Sequence, residues 1–268
     1  MTGIYLPGAT SQAICGMNSF DKKRFAAIAD IHGNADAFAA VLADIESQVI
    51  TSIVNLGDHF SGPLAARETA DMLLDSNIVS IRGNHDRWLI EKTFETMGPS
   101  DRVAFSQLTE AHLQWLRERP ATLEIGDEIF LCHGTPSSDT AYWLETVSAD
   151  GIVTFRDRNG IAREAEGISS SLILCGHTHL PRRVDLHDGR TVVNPGSVGC
   201  PGYDDDFPAY HVMQTGTPTA CYAIIEKRSE GWLTTFRQVP YDTMRMSGLA
   251  RNAGRPEWAS ALSTGWVK

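Results

Sequence analysis

Five short apolar runs in this chain each stop at a glycine flanked by Asp, Asn or His, and this pattern limits the fold more than any other feature. Phe25–Ala29 precedes Asp30-Ile31-His32-Gly33, and Ser52–Asn55 precedes Leu56-Gly57-Asp58. Asn77–Ile81 precedes Arg82-Gly83-Asn84-His85-Asp86. Glu128–Cys132 precedes His133-Gly134-Thr135-Pro136, and Ser171–Cys175 precedes Gly176-His177-Thr178-His179. A short apolar run closed by turn-forming residues reads as a buried strand. Between the first three runs the period becomes helical. Phe38, Val41, Leu42 and Ile45 recur three and four apart, and Pro63 suits the first turn of a second helix through Leu74. The order β-α-β-α-β implies a parallel sheet with right-handed crossovers. In such sheets ligands gather at the carboxyl ends of the strands, where the polar tips lie.

The middle of the chain predicts helices over Trp88–Thr96 and Thr109–Arg119, the second stopped by Pro120. Ala121–Ile125 and Glu128–Cys132 read as a hairpin around Gly126-Asp127. Residues 137–167 predict a helix near Tyr142–Val147 and a loop through Asp157–Gly160. The last third reads as antiparallel strands Val184–Leu186, Thr191–Val193, Ala220–Glu226 and Trp232–Val239. Three regions follow: an irregular leader over 1–23, one α/β domain over 24–240, and a tail over 241–268 that is helical around Pro256–Leu262.

A formal charge of −10 disfavours a general grip on nucleic acid, which needs the opposite sign. The five cysteines include no Cys-x-x-Cys, so neither a disulfide framework nor a thiolate zinc site is suggested. Cys132 and Cys175 sit in apolar runs and read as small buried fillers, which fits a reducing compartment. No apolar run approaches the roughly 20 residues that span a bilayer. The N-terminus lacks a basic segment followed by a clear apolar one. A cytoplasmic protein with no membrane partner is expected.

Collected from the tips, the polar residues are Asp30, His32, Asp58, Asn84, His85, His133, His177 and His179. Imidazole with carboxylate and amide oxygen suits Mn, Fe, Zn, Ni or Co. Asp30 and His32 stand two apart, as do His177 and His179, so an extended backbone would point each pair the same way. Two residues along a strand span about 6–7 Å, enough to serve two metals about 3.5–4 Å apart. Asp58, with two oxygens, is the natural bridge. Asn34, His59 and Arg87 lie beside the tips and are candidates for substrate contact, with Arg82, Arg182 and Arg183 as further cations. Tyr142, Trp143 and Tyr203 could form an aromatic shelf, although ordinary packing is the simpler reading. His112 on a helix and His187 at a hairpin read as solvated, and Asp204-Asp205-Asp206 as a solvated loop.

The ordered set Asp-x-His, Gly-Asp, Gly-Asn-His-Asp, His-Gly and Gly-His-x-His resembles the calcineurin-like metallophosphoesterase superfamily over Phe25 to about Val239. His133-Gly134-Thr135-Pro136 and Val193-Asn194-Pro195-Gly196-Ser197 are similar to patterns of its compact bacterial and archaeal phosphodiesterase group. Asp86 after His85, and no Asp-Arg-Gly continuation after Asp58, depart from the protein serine/threonine phosphatases. The resemblance implies two facing mixed β-sheets flanked by helices, a four-layer αββα sandwich. It implies two divalent metal ions, one on Asp30, His32, Asp58 and His179, the other on Asp58, Asn84, His133 and His177. His85 is then the catalytic partner that protonates the leaving oxygen, with Asp86 as the neighbour that could orient it. The implied reaction is hydrolysis of a small phosphoester by in-line attack of a metal-bridging hydroxide. A phosphomonoesterase, a dinucleoside polyphosphate hydrolase and a non-catalytic scaffold of the same fold stay open, as does a homo-oligomer.

Overall fold

A computed structural model describes residues 20–268, so the expected leader lies almost wholly outside the described residues. The first sheet opens with parallel strands β1 (Arg24–Ile28), β2 (Ile53–Asn55) and β3 (Val79–Ser80). Helices α1 (Ala35–Ser47) and α2 (Ala66–Leu74) make the crossovers between them. Helices α3 (Asn84–Glu91), α4 (Pro99–Phe105) and α5 (Glu110–Arg117) follow. The second sheet then begins with the hairpin β4 (Leu123–Ile125) and β5 (Ile129–Leu131). After the small hairpin β6 (Glu145–Val147) and β7 (Val153–Phe155) come α6 (Arg158–Glu164), β8 (Leu172–Leu174), β9 (Arg182–Asp185) and β10 (Thr191–Asn194). A second small hairpin, β11 (Gly202–Asp205) and β12 (His211–Gln214), precedes the long antiparallel strands β13 (Ala220–Arg228) and β14 (Gly231–Val239). Helices α7 (Met244–Asn252) and α8 (Pro256–Thr264) close the chain. The two five-stranded sheets run β14-β13-β1-β2-β3 and β4-β5-β8-β10-β9.

Alternation along β1 accounts for the layers. Phe25, Ala27 and Ala29 point into a core shared with Leu131, Leu174 and Trp232, so the two sheets face each other. Ala26 and Ile28 point the other way, onto Phe38, Val41 and Ile45 of α1. Each fully buried side chain of this size contributes roughly 1.5–3 kcal/mol relative to exposure. The outer face of the second sheet packs Phe130, Ile173 and Val192 on Trp143 and Ile161. The tail helices pack Met246, Trp258 and Leu262 on Ala35 and Leu64.

Several expectations need correction. Residues Tyr142–Val147 form no helix; their end is β6, paired with β7 across a turn where Gly151 takes φ +78°. Thr146 and Val147 are β-branched and favour the strand. Asp157 opens α6 instead of a loop, because its carboxylate accepts Gly160 N–H at 3.0 Å as an N-cap. The helix expected from Trp88 starts at Asn84 and stops at Glu91. His112 is buried, not solvated: its Nδ1 accepts Thr109 N–H at 3.2 Å and its Nε2 lies 2.9 Å from Asp71. Cys132, Cys175, Cys200 and Cys221 are buried and unpaired. No described helix is long and apolar enough to cross a membrane.

Candidate metal centre

The loops that leave the strands converge through an unusual backbone. Asp30, His32, Asp58, His177 and His179 all have φ between 51° and 70°. Val49 is the only other non-glycine residue described with positive φ. The left-handed region costs a non-glycine residue about 1–2 kcal/mol, so each loop must be held from outside. Backbone bonds do this: Asp30 N–H donates to Gly57 O, His32 N–H to Asp58 O, and Gly176 N–H to His133 O. Gly83 lets the third loop close on the second, since a Cβ there would lie 2.2 Å from Asp58 Oδ1. The expected extended geometry for Asp30 and His32 is therefore replaced by left-handed turns.

Two groups of candidate ligands result. Asp30, His32 and His179 form one, and Asp58, His133 and His177 the other; within each, the donor atoms lie within 4.8 Å of one another. Asp58 Oδ2 stands between the groups, 3.9 Å from His32 Nε2 and 3.3 Å from His133 Nε2. Each imidazole is tied through one nitrogen to a backbone carbonyl. His32 Nδ1 donates to Ser61 O at 2.7 Å, His133 Nδ1 to Leu56 O at 2.8 Å, and His179 Nδ1 to Cys200 O at 2.7 Å. His177 is tied through Nε2, which donates to Thr140 O at 3.1 Å. A carbonyl only accepts, so each tied nitrogen carries a proton; on His32, His177 and His179 the other nitrogen keeps its lone pair, whereas His133 must give up its Nε2 proton to coordinate.

These residues fit divalent cations. Asp30 Oδ1, Asn84 Oδ1 and His133 Nε2 are buried with no hydrogen-bond partner among the described residues. An unmet buried polar atom costs about 1–3 kcal/mol, and one cation beside Asp30 with another beside Asn84 and His133 would satisfy these atoms. The donor set is oxygen and imidazole without thiolate, as transition ions accept. Burial lowers His32 to about 4 and His177 to about 3, and holds His179 well below its ordinary value. Those rings are neutral at pH 7 and ready to coordinate. Burial also opposes charge on His133, but Asp58 and Asp30 outweigh it and lift the ring to about 10. Burial raises Asp30 to about 8, whereas His133 and His85 hold Asp58 well below the carboxylate range against burial. Two carboxylates in one buried pocket resist ionising together, so without a cation the cluster keeps protons.

His85 stands on the wall beside these groups. Its Nδ1 lies 2.8 Å from Asp101 Oδ1, and its N–H donates to Asp58 Oδ1 at 2.9 Å. Asp86 does other work: it accepts the amides of Asp58, His59 and Gly83 at 2.7, 3.0 and 2.9 Å and so builds the loop. Asp101 on α4 carries no spacing relation to His85 that a sequence reading could use.

The expected substrate contacts turn elsewhere. Asn34 caps α1 by accepting Ala37 N–H, and its amide donates to Gly199 O and Tyr241 Oη, all within 3.1 Å. His59 is fully buried, with Nε2 on Ile81 O at 2.9 Å and its ring against Trp115. Arg87 grips Asp139 through two bonds of 2.7 and 2.9 Å. None of the three lines the cavity of about 890 Å³ that opens over the metal-ligand candidates, nor do Arg82, Arg182 or Arg183. Tyr142 and Tyr203 do line it, but Trp143 is buried in the core. Asp204, Asp205 and Asp206 are exposed as expected, but Asp204 and Asp205 lie on β11 and all three line the cavity. Trp88, its ring 4.6 Å from His85, and Trp258, 5.8 Å from His32, are walls that no motif announced.

Comparison with known proteins places the chain in a family. A curated but uncharacterised protein of Methanocaldococcus jannaschii is 25% identical over 260 residues, covering 88% of this chain and 96% of its own. The crystal structure of a metallophosphoesterase from Sphaerobacter thermophilus superposes with a TM-score of 0.70 at 26% identity, covering 91% of this chain and 100% of that one. The profile of the calcineurin-like phosphoesterase superfamily domain matches residues 24–217, most of the chain, which therefore belongs to the calcineurin-like phosphoesterase superfamily.

Proposed function

We propose that this chain is a two-metal hydrolase of small phosphoesters. The observation that carries the reading is the set of imidazoles each tied to a carbonyl through one nitrogen, with Nε2 of His32 and Nε2 of His179 brought to 3.1 Å although their protons lie on Nδ1, beside the unmet oxygens of Asp30 and Asn84. Asp30, His32, Asp58 and His179 would hold one divalent ion, and Asp58, Asn84, His133 and His177 the other. When bound, such ions supply positive charge for phosphoryl oxygens and lower the pKa of water. The chain's own part is to orient the ester and to supply the leaving oxygen with a proton. His85 suits that second task. Asp101 engages Nδ1, which leaves Nε2 for the substrate. Burial alone would discharge the ring, but Asp58 and Asp101 outweigh it and hold the pKa above its ordinary value. An imidazolium near neutrality is a competent general acid. A cavity of about 890 Å³ suits a small molecule, and the charge of −10 argues against long nucleic acids.

The test is direct. Protein reloaded with Mn²⁺ should cleave bis-p-nitrophenyl phosphate or p-nitrophenyl phosphate, and chelation should stop it. Two bound metals without turnover on a broad phosphoester panel would instead make the chain a metal-binding scaffold.

A further inference from the structure

The tail contributes to the cavity although it lies beyond the segment that the superfamily profile matches. Arg255 and Trp258, at the start of α8, both line the cavity, whereas the family match ends at residue 217. Arg255 is held in place. Its Nε pairs with Glu257 and one terminal nitrogen donates to Ser100 Oγ. Its Nη2 has no hydrogen-bond partner among the described residues, and about a quarter of the side chain stays exposed, 23%. Such a guanidinium is pre-oriented for an anion.

Its position also indicates which half of a substrate it would meet. Ser100 adjoins Asp101, and Asp101 holds His85, the proposed proton donor to the leaving oxygen. Trp88 against His85 and Trp258 against His32 flank the same wall. The β11–β12 hairpin lines another part of the cavity with Asp204, Asp205 and Asp206, none of them paired with a cation among the described residues. Arg156, the other guanidinium on the lining, is turned onto the carbonyls of Tyr142 and Glu145, so the hairpin side repels negative charge while Arg255 attracts it. We infer that Arg255 is an anion-binding arm of the substrate site, receiving a second negative group, phosphate or carboxylate, on the leaving half of a phosphoester. This assignment rests on the phosphoester reading of the metal centre. It narrows the substrate class to esters or anhydrides whose leaving group is itself anionic.

The experiment is equilibrium titration of the Mn²⁺-loaded protein with three non-hydrolysable ligands. Phenylphosphonate carries one anion, 4-carboxyphenylphosphonate adds a carboxylate, and benzene-1,4-diphosphonate adds a second phosphonate. In the wild type the second anion should tighten binding about tenfold, as a charge-assisted bond to Arg would. Tightening by the diphosphonate alone assigns the arm to phosphate; tightening by both assigns it to anions generally. Arg255→Gln should abolish the advantage and Arg255→Lys should keep part of it, with melting curves showing both variants folded. The inference fails if the second anion brings no tightening in the wild type, if the advantage survives Arg255→Gln, or if that variant weakens all three ligands equally. Absence of turnover would sink the hydrolase reading without altering this affinity pattern, so the two failures are separable.

Discussion

Asp101 Oδ1 lies 2.8 Å from His85 Nδ1 and 2.5 Å from Ser61 Oγ, so a helix that carries no candidate ligand fixes the imidazole that faces the cavity. Asp101 is a positioning residue for His85. Asp101→Asn should lower kcat on phosphoesters about tenfold or more, with two metals still bound. The loss should be larger for alkyl leaving groups than for p-nitrophenolate, because only a poor leaving group needs its proton in the transition state. Equal losses on both classes would mean that Asp101 supports the fold alone.

His85→Ala carries the same logic further. It should leave metal content at two per chain while the rate on alkyl phosphodiesters drops about 10²–10⁴-fold. Metal analysis after dialysis separates this from the alternative. The backbone N–H that donates to Asp58 Oδ1 survives this substitution, so a variant that loses metal would show that the His85 ring itself shapes a ligand site.

The metal-free centre holds protons that a cation must displace. Burial raises Asp30 to about 8, and Asp58 and Asp30 overcome burial to lift His133 to about 10. Both pKa values are raised, so their contribution to the stability of the metal-free protein is full below the ordinary values and fades as pH rises through the folded ones. Metal binding removes those protons and is favoured in the opposite direction. Loading at pH 7 should therefore release protons, measurable by calorimetry in buffers of different ionisation heat. The rise in Tm on adding Mn²⁺ should grow between pH 6 and pH 8. Proton uptake on loading, or a Tm gain that shrinks over that range, contradicts the protonated cluster.

Asp58 is the candidate bridge, with Oδ2 near imidazoles of both groups. Asp58→Asn should weaken both metals, whereas Asn84→Ala or His179→Ala should chiefly weaken one. Stepwise metal titrations read this as loss of two binding phases against loss of one. A variant of Asp58 that retained one phase at full affinity would remove it from the bridge.

What the sequence made legible is what is local. Asp30, His32, Asp58, Asn84, His133, His177 and His179 follow short apolar runs, and a strand that ends at a polar residue carries it to the sheet edge. Asn34 and His59 adjoin the ligand positions in sequence, but a left-handed turn sends neighbouring side chains apart, and both lie in the interior. Left-handed φ favours Asp and His among non-glycine residues, the types found here, but residue type alone does not say which of them adopt it. β11 runs through Asp204 and Asp205, residues that strands disfavour, so packing overrode propensity there. Arg255 and Trp258 reach the cavity, and Asp101 reaches His85, only through tertiary packing of α8 and α4, which no periodicity reports.

The pair of Arg87 and Asp139 gives the last test. Arg87 sits on α3, three residues after Asn84, and its side chain is bonded twice to Asp139. Asp139 immediately precedes Thr140, whose carbonyl accepts His177 Nε2–H and so leaves Nδ1 bare for a metal. The pair thus clasps the loop that sets the tautomer of His177. Loss of an outer-shell partner of this kind typically costs 10–100-fold in metal affinity. Arg87→Ala and Asp139→Asn should each weaken the metal held by His177 by about tenfold and leave the one held by His32 and His179 less affected. The double variant should be little worse than either single one, because the two changes remove the same interaction. Additive losses would show that Arg87 and Asp139 act separately, and unchanged metal affinity with a raised KM would return Arg87 to the substrate.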